Sequence, residues 1–141
     1  MRIAVLDDYQ GVAARMADWD SLAPRASVEI FNRRIAGQDE LARALAPFDA
    51  LVVMRERTPF PRVLLERLPA LRLLVTTGHR NRAVDLDAAS DLGIQVCGTG
   101  LEPDATSELT WALILAVARN IPREVEALRA GTWQVGIGRG L

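Results

Sequence analysis

Five short runs rich in Val, Ile and Leu, each ending in polar or small residues, alternate with stretches of helical periodicity, and this alternation restricts the possible folds most. The runs are Arg2 to Asp8, Ser27 to Asn32, Ala50 to Arg55, Leu71 to Thr77 and Ile94 to Gly98, and they predict five strands. Between them, helical spacing covers Val12 to Leu22, Asp39 to Leu45, Pro61 to Leu68 and Leu86 to Leu92. Pro61 suits a first helical turn, where its missing N–H would be unpaired in any case.

Strands that are apolar throughout and separated by helices favour a parallel sheet covered on both faces, because each right-handed crossover returns the chain in the same direction. The expected fold is therefore α/β and flavodoxin-like: a five-stranded parallel sheet of order 2-1-3-4-5 with helices on both faces, plus a C-terminal helical tail. In that tail, Pro103 to Asn120 predicts a long helix with Leu109, Leu113, Ala116 and Val117 at helical spacing, and Ile121 to Trp133 a second one. The expected division is residues 1–100 as one domain and 101–141 as linker helix and tail.

With 141 residues, half of them apolar, the chain suits one sizeable core. A net charge of −1 supplies no global basic field, so nucleic acid is not an expected partner. The single cysteine, Cys97, has no second thiol in the chain to pair with, and the N-terminus runs straight into a strand-like segment, so the expected setting is cytoplasmic. The longest apolar stretch, Leu109 to Ala118, covers about ten residues where a spanning helix needs about 20, so no membrane partner is expected.

In an open parallel sheet, the loops at the carboxyl ends of the strands gather round one crevice. Those loops hold Asp7 and Asp8, Arg55 to Thr58, Thr76 to Asn81 and Gly98 to Asp104. The segment Thr76-Thr77-Gly78-His79-Arg80-Asn81 is the foremost site candidate, because a glycine at a strand end lets backbone N–H groups approach a carboxylate. An ordinary β-to-α turn would read the same way. Arg55, Arg57 and Arg80 stand where an anion could be held by a guanidinium fork. A solvated basic rim paired with Glu56 is the alternative.

His79, the only histidine, could act on a substrate oxygen, yet no orienting partner is visible in sequence, and a surface histidine is the simpler account. The Asp7–Asp8 pair is similar to the acidic pair with which phosphoacceptor receiver domains hold Mg²⁺. Such a domain also needs an aspartate after strand three, where Met54-Arg55 stands, and a lysine after strand five, where none lies near Gly98. Capping of the Val12 helix or plain solvation accounts for the pair, and no metal site is expected. Cys97, inside an apolar strand, reads as a small buried hydrophobe. The glycine-rich Gly136 to Gly140 lacks the strand-then-helix context of a phosphate-binding fingerprint and reads as a flexible connector.

Four stretches resemble the N-terminal part of the D-isomer-specific 2-hydroxyacid dehydrogenases. They are LVVMRERTPFPRVLLERLPALRLLVTTG (Leu51 to Gly78), NRAVDLDAASDLGIQVCGTG (Asn81 to Gly100), TSELTWALILAVARNIP (Thr106 to Pro122) and ALRAGTW (Ala127 to Trp133). The resemblance implies a substrate-binding domain that works beside a Rossmann-type domain carrying NAD or NADP. It implies that a 2-hydroxy or 2-keto acid is held by its carboxylate at Thr77, Gly78 and His79, with Arg55 and Thr58 of the Arg-x-x-Thr loop facing the same cleft. Thr106, at the start of the Ala-Glu helix, would approach the nicotinamide.

The family's spacing after the glycine turn is lengthened here to GHRNRAVD, and Ala105 stands where a serine is common. The family's catalytic arginine, glutamate and histidine and its GxGxxG have no counterpart in these residues. The expectation is thus a substrate-binding portion with no catalytic residue of its own, no tight dinucleotide binding, and no turnover alone. A stand-alone small-acid-binding or dimerisation module of the same fold is the alternative. Trp111, Leu115 and Trp133, left without a cover, predict a homodimer through the C-terminal helices.

Overall fold

The computed structural model describes residues 1–100 and 104–141. Two compact units are present, Met1–Leu101 and Glu102–Leu141. The first carries five parallel strands: β1 (Arg2–Val5), β2 (Ser27–Ile30), β3 (Ala50–Val53), β4 (Leu73–Thr76) and β5 (Gln95–Gly98), in the order β2-β1-β3-β4-β5. This is the flavodoxin-like α/β sheet that the alternation predicts.

β1 and β3 are shorter than their apolar runs because the backbone turns out of the sheet at the carboxyl edge. Asp7 (φ 60°), Arg55 (φ 50°) and Gly78 (φ 98°) all adopt the left-handed region just past β1, β3 and β4. Ladder bonds persist up to those points, from Leu6 N–H to the Val52 carbonyl (2.9 Å) and from Thr77 N–H to the Val53 carbonyl (3.0 Å). Three successive strand ends therefore break away on one edge.

Alternation along the strands sorts the sheet into two faces. Ala4, Leu6, Leu51, Val53 and Leu74 join one buried cluster with residues of α2 (Gln38–Leu45), α3 (Arg62–Leu65) and α4 (Leu86–Asp91). Leu51, Leu74, Leu45 and Ala88 are fully inaccessible there. Ile3, Val5 and Ala50 lie on the opposite face, which is served by α1 (Ala13–Met16) and a 3-10 turn (Trp19–Leu22).

The Val12 to Leu22 stretch is expected as one helix and is instead divided. Ala17 is extended (φ −150°, ψ 156°), and the Asp18 side chain accepts from Ser21 N–H to start a new turn. The Trp19 indole N–H donates to the Ala13 carbonyl (2.8 Å), taking the acceptor that a continuing helix would offer Ala17. By contrast, α4 starts and stops where sequence rules place it. The Asp85 carboxylate accepts from Ala88 N–H (2.9 Å). At the other end Gly93 (φ 69°) donates to Ser90 and Ile94 to Ala89, a paired closure that needs a left-handed residue.

The second unit holds α5 (Asp104–Ala118) and α6 (Ile121–Arg129); Pro103, expected to open α5, lies outside the described residues. No described residue of α5 is buried, although Trp111, Leu113, Ile114, Leu115 and Val117 are among its side chains. α6 ends short of the expected Trp133 because Gly131 (φ 78°) closes it: Gly131 donates to Leu128 and Thr132 to Ala127.

Gly136 to Gly140, expected as a flexible connector, instead lies against the end of α5. The Arg139 N–H donates to the Ala118 carbonyl (2.6 Å). A Cβ on Gly138 would sit 2.5 Å from the Arg119 Cα, so only glycine permits this approach. Among the described residues no helix is long and apolar enough to cross a membrane.

Candidate functional site

The carboxyl edge of the sheet brings together the loops after β1, β3, β4 and β5. Arg55 organises the centre. A non-glycine residue in the left-handed region is costly unless its surroundings hold it, and here they do. The Arg55 N–H donates to Thr77 Oγ1 (3.2 Å), and the Arg55 carbonyl accepts from Asn81 Nδ2 (2.6 Å). Asn81 Nδ2 also donates to Thr76 Oγ1 (3.1 Å), while its Oδ1 accepts from Ala83 N–H (2.9 Å). The buried Asn81 amide thus clamps the β3 and β4 exits together.

That clamp sends the Arg55 side chain across the glycine turn. Its Nη1 lies 3.0 Å from where a Gly78 Cβ would be, so a side chain at 78 would press on the guanidinium and would be strained by the φ of 98°. The Glu56 carboxylate stands 3.8 Å from Arg55 Nε, a loose and exposed pair. In water such a pair holds little energy and competes weakly with a ligand carboxylate.

The turn also carries backbone donors. The Thr77 N–H continues the ladder to Val53, and the Gly78 N–H donates to Thr99 Oγ1 (2.8 Å). Among the described residues, the N–H groups of His79 and Arg80 have no acceptor in the protein. His79 and Arg80 also line a cavity of about 460 Å³ beside the turn, with Thr76, Asn81, Arg82 and Val96 among its walls.

Thr58 stands one step behind. It is buried (6% exposed), and its hydroxyl donates to Asp7 Oδ2 (2.7 Å), so in this geometry it anchors the Arg55 loop to the end of β1. Arg57 performs the same task from outside. Its Nη1 donates to the Asp7 carbonyl (2.6 Å) and the guanidinium stacks 4.7 Å from the Tyr9 ring centroid. The Tyr9 phenol donates to Asp7 Oδ1 (3.0 Å); burial first, and then that bond, hold its proton above the ordinary range.

The two aspartates divide their work. Asp8 accepts from the backbone N–H groups of Ala13 (2.9 Å) and Val12 (3.0 Å), which hold its carboxyl below the usual range despite burial. It therefore caps α1. Plain solvation fails for both, since Asp7 and Asp8 are 2% and 1% exposed and fully engaged with protein donors. Cys97 is half-buried, not buried, because β5 is an edge strand.

Of the residues that sequence singles out, Arg55, Thr77, Gly78 and His79 converge on one turn, and Thr58 supports it. Thr106 lies in the first turns of α5, in the second unit, where its carbonyl accepts from the Thr110 hydroxyl (2.8 Å). Asn81 closes the candidate segment, whereas Gly98 and Thr99 enter the sequence reading only as part of the Gly98 to Asp104 loop, with no role assigned to either. Asn81 carries the one usable signal, as asparagine is favoured where a side chain must bond its own turn.

A dinucleotide pyrophosphate needs free N–H groups on a glycine loop between a strand and a helix. Gly136 to Gly140 instead packs against the end of α5, with the Arg139 N–H donating to the Ala118 carbonyl. The edge thus places the Arg55 guanidinium beside a glycine turn where, among the described residues, the His79 and Arg80 N–H groups have no protein acceptor.

The catalytic domain of D-isomer specific 2-hydroxyacid dehydrogenase matches residues 4–132. A D-3-phosphoglycerate dehydrogenase of Methanocaldococcus jannaschii is 36% identical over 100 residues, covering 68% of this chain and 18% of that protein. A hydroxypyruvate reductase of Thermotoga maritima is 32% identical over 98 residues, covering 69% of this chain and 32% of that protein. The crystal structure of a phosphoglycerate oxidoreductase from Vibrio cholerae o395 superposes with a TM-score of 0.86 at 39% identity, over 99% of this chain and 45% of that one. The chain thus spans less than half the length of these relatives. With a match over nearly all of its residues, the chain belongs to the D-isomer specific 2-hydroxyacid dehydrogenase family.

Proposed function

We propose that these residues form the acid-gripping part of an NAD(P)-dependent 2-hydroxyacid dehydrogenase, in which a 2-hydroxy or 2-keto acid is held by its carboxylate at the glycine turn. One observation supports the reading: among the described residues the His79 and Arg80 N–H groups have no protein acceptor, at a turn beside which the Arg55 guanidinium lies. The Arg55 fork meets one side of the carboxylate, the backbone of His79 and Arg80 meets the other, and Thr77 and Gly78 set the shape of the turn. Thr58 holds the Arg55 loop through Asp7.

Hydride transfer would need a nicotinamide and a group acting on the substrate oxygen. Thr106 is the residue of this chain that faces the nicotinamide in this reading. The 141-residue polypeptide therefore binds the acid and does not turn it over. The exposed apolar side chains of α5, with Trp133 at 80% exposure, favour a homodimer through the C-terminal helices.

Titration calorimetry with a panel of 2-keto acids, beside absorbance at the reduced-nicotinamide band, tests the reading. Binding of the acids with no change in absorbance is expected. Binding of none of them overturns the acid site, and turnover by these residues alone overturns the division of labour.

A further inference from the structure

The carboxylate reading leaves one donor of the turn already occupied. The Gly78 N–H donates to Thr99 Oγ1 at 2.8 Å, and the Thr99 N–H returns to the Gly78 carbonyl (3.1 Å) and to the Thr76 carbonyl (3.2 Å). The Thr99 hydroxyl in turn donates to the Gly100 carbonyl (3.2 Å). The peptide before Gly78 and the peptide after it are thus both tied to one residue at the exit of β5.

This reciprocal tie depends on the residue before it. A Cβ on Gly98 would lie 2.7 Å from the Gly78 carbonyl oxygen and 3.0 Å from that of His79, so the two strand exits touch backbone to backbone. Hydrogen bonds from both sides of a left-handed glycine fix its φ and ψ, and the direction of the next peptide follows from them. The His79 N–H belongs to that next peptide.

We infer that Thr99 is the positioning residue of the acid site: its hydroxyl and N–H lock the Gly78 peptides so that the His79 and Arg80 N–H groups point at one carboxylate. The inference rests on the acid-binding reading and adds a residue to it. Thr99 itself touches no substrate; it acts through Gly78. A turn free to rotate would still close β4 onto α4, but it would present its donors in several directions, and carboxylate affinity would fall.

Thr99→Val removes the hydroxyl at nearly constant shape, and Thr99→Ser restores it. The probe is oxamate, a non-reacting 2-keto acid mimic, titrated into the 141-residue protein and followed by ¹H–¹⁵N shifts of the Gly78, His79 and Arg80 amides. Loss of one hydrogen bond predicts roughly threefold to tenfold weaker binding by Thr99→Val and near-native binding by Thr99→Ser. The thermal midpoint should stay close to that of the parent, which separates positioning from folding. Oxamate binding by Thr99→Val as tight as by the parent overturns the role of Thr99 and leaves the acid site standing. Failure of the parent itself to bind oxamate removes the acid site, and Thr99's role with it.

Discussion

Gly98 and Gly78 meet without room for a side chain: a Cβ on Gly98 would stand 2.7 Å from the Gly78 carbonyl oxygen. Backbone on both sides leaves nothing flexible to give way. Gly98→Ala should therefore push the glycine turn off β5, lower the thermal midpoint, and abolish binding of 2-keto acids. A Gly98→Ala variant that melts and binds like the parent would show that the two strand exits are not held this closely.

Arg55 brings a guanidinium nitrogen to 3.0 Å from the position of a Gly78 Cβ, and a charge-assisted bond to a carboxylate is worth more than a neutral one. Arg55→Gln should weaken 2-keto acid binding roughly tenfold to a hundredfold. Arg55→Lys should recover only part of this, because an ammonium lacks the planar fork. Full recovery by lysine in a binding titration would reduce Arg55 to a general positive charge.

Asp8 carries a pH dependence with a definite sign. Its folded carboxyl lies below the ordinary value of 3.8 because Ala13 and Val12 N–H groups bond the ionised form. The resulting stability is present above that ordinary value and is lost as pH falls through the lower folded one. Thermal midpoints should hold on the neutral side and decline in acid, with a shallower acid decline in Asp8→Asn. Identical acid profiles for the two proteins would remove Asp8 from the account.

Leu51 is fully inaccessible in the centre of β3, on the face shared with α2, α3 and α4. Leu51→Ala should destabilise the first unit by about 2–5 kcal/mol, measured by urea denaturation, since a packed core collapses only partly into a cavity. A loss well under 1 kcal/mol would mean that this face is looser than the burial implies.

The exposed Trp111, Leu115 and Trp133 predict self-association at micromolar concentration. Sedimentation should give a mass above the 15.4 kDa monomer, and Trp111→Ser should shift it down. A clean monomer mass for the parent would end the dimer proposal.

Most of the sheet is legible in the sequence because buried parallel strands write themselves as continuous apolar runs, and the stop of α4 at Gly93 carries its own backbone signature; Gly131 offers the same signature, yet the expected helix from Ile121 to Trp133 runs through it. The break at Ala17 is written less plainly. Asp18 is a good cap, but the bond from Trp19 to Ala13 depends on a rotamer that spacing does not encode. At the site, Arg55, Gly78 and His79 are visible as residue types at strand ends. Thr58 is visible too, yet only packing shows that its hydroxyl belongs to Asp7. Thr99 is hidden for a different reason: its partner Gly78 is 21 residues away, on the neighbouring strand exit, and only the register of β4 against β5 pairs them.

The central claim is that an organic acid binds by its carboxylate at the turn after β4. A ¹H–¹⁵N titration of the 141-residue protein with glyoxylate tests it most directly. The account predicts saturable shifts centred on the His79 and Arg80 amides, absent with the neutral amide of the same acid. Shifts confined to other regions, or none at saturating concentration, would contradict it.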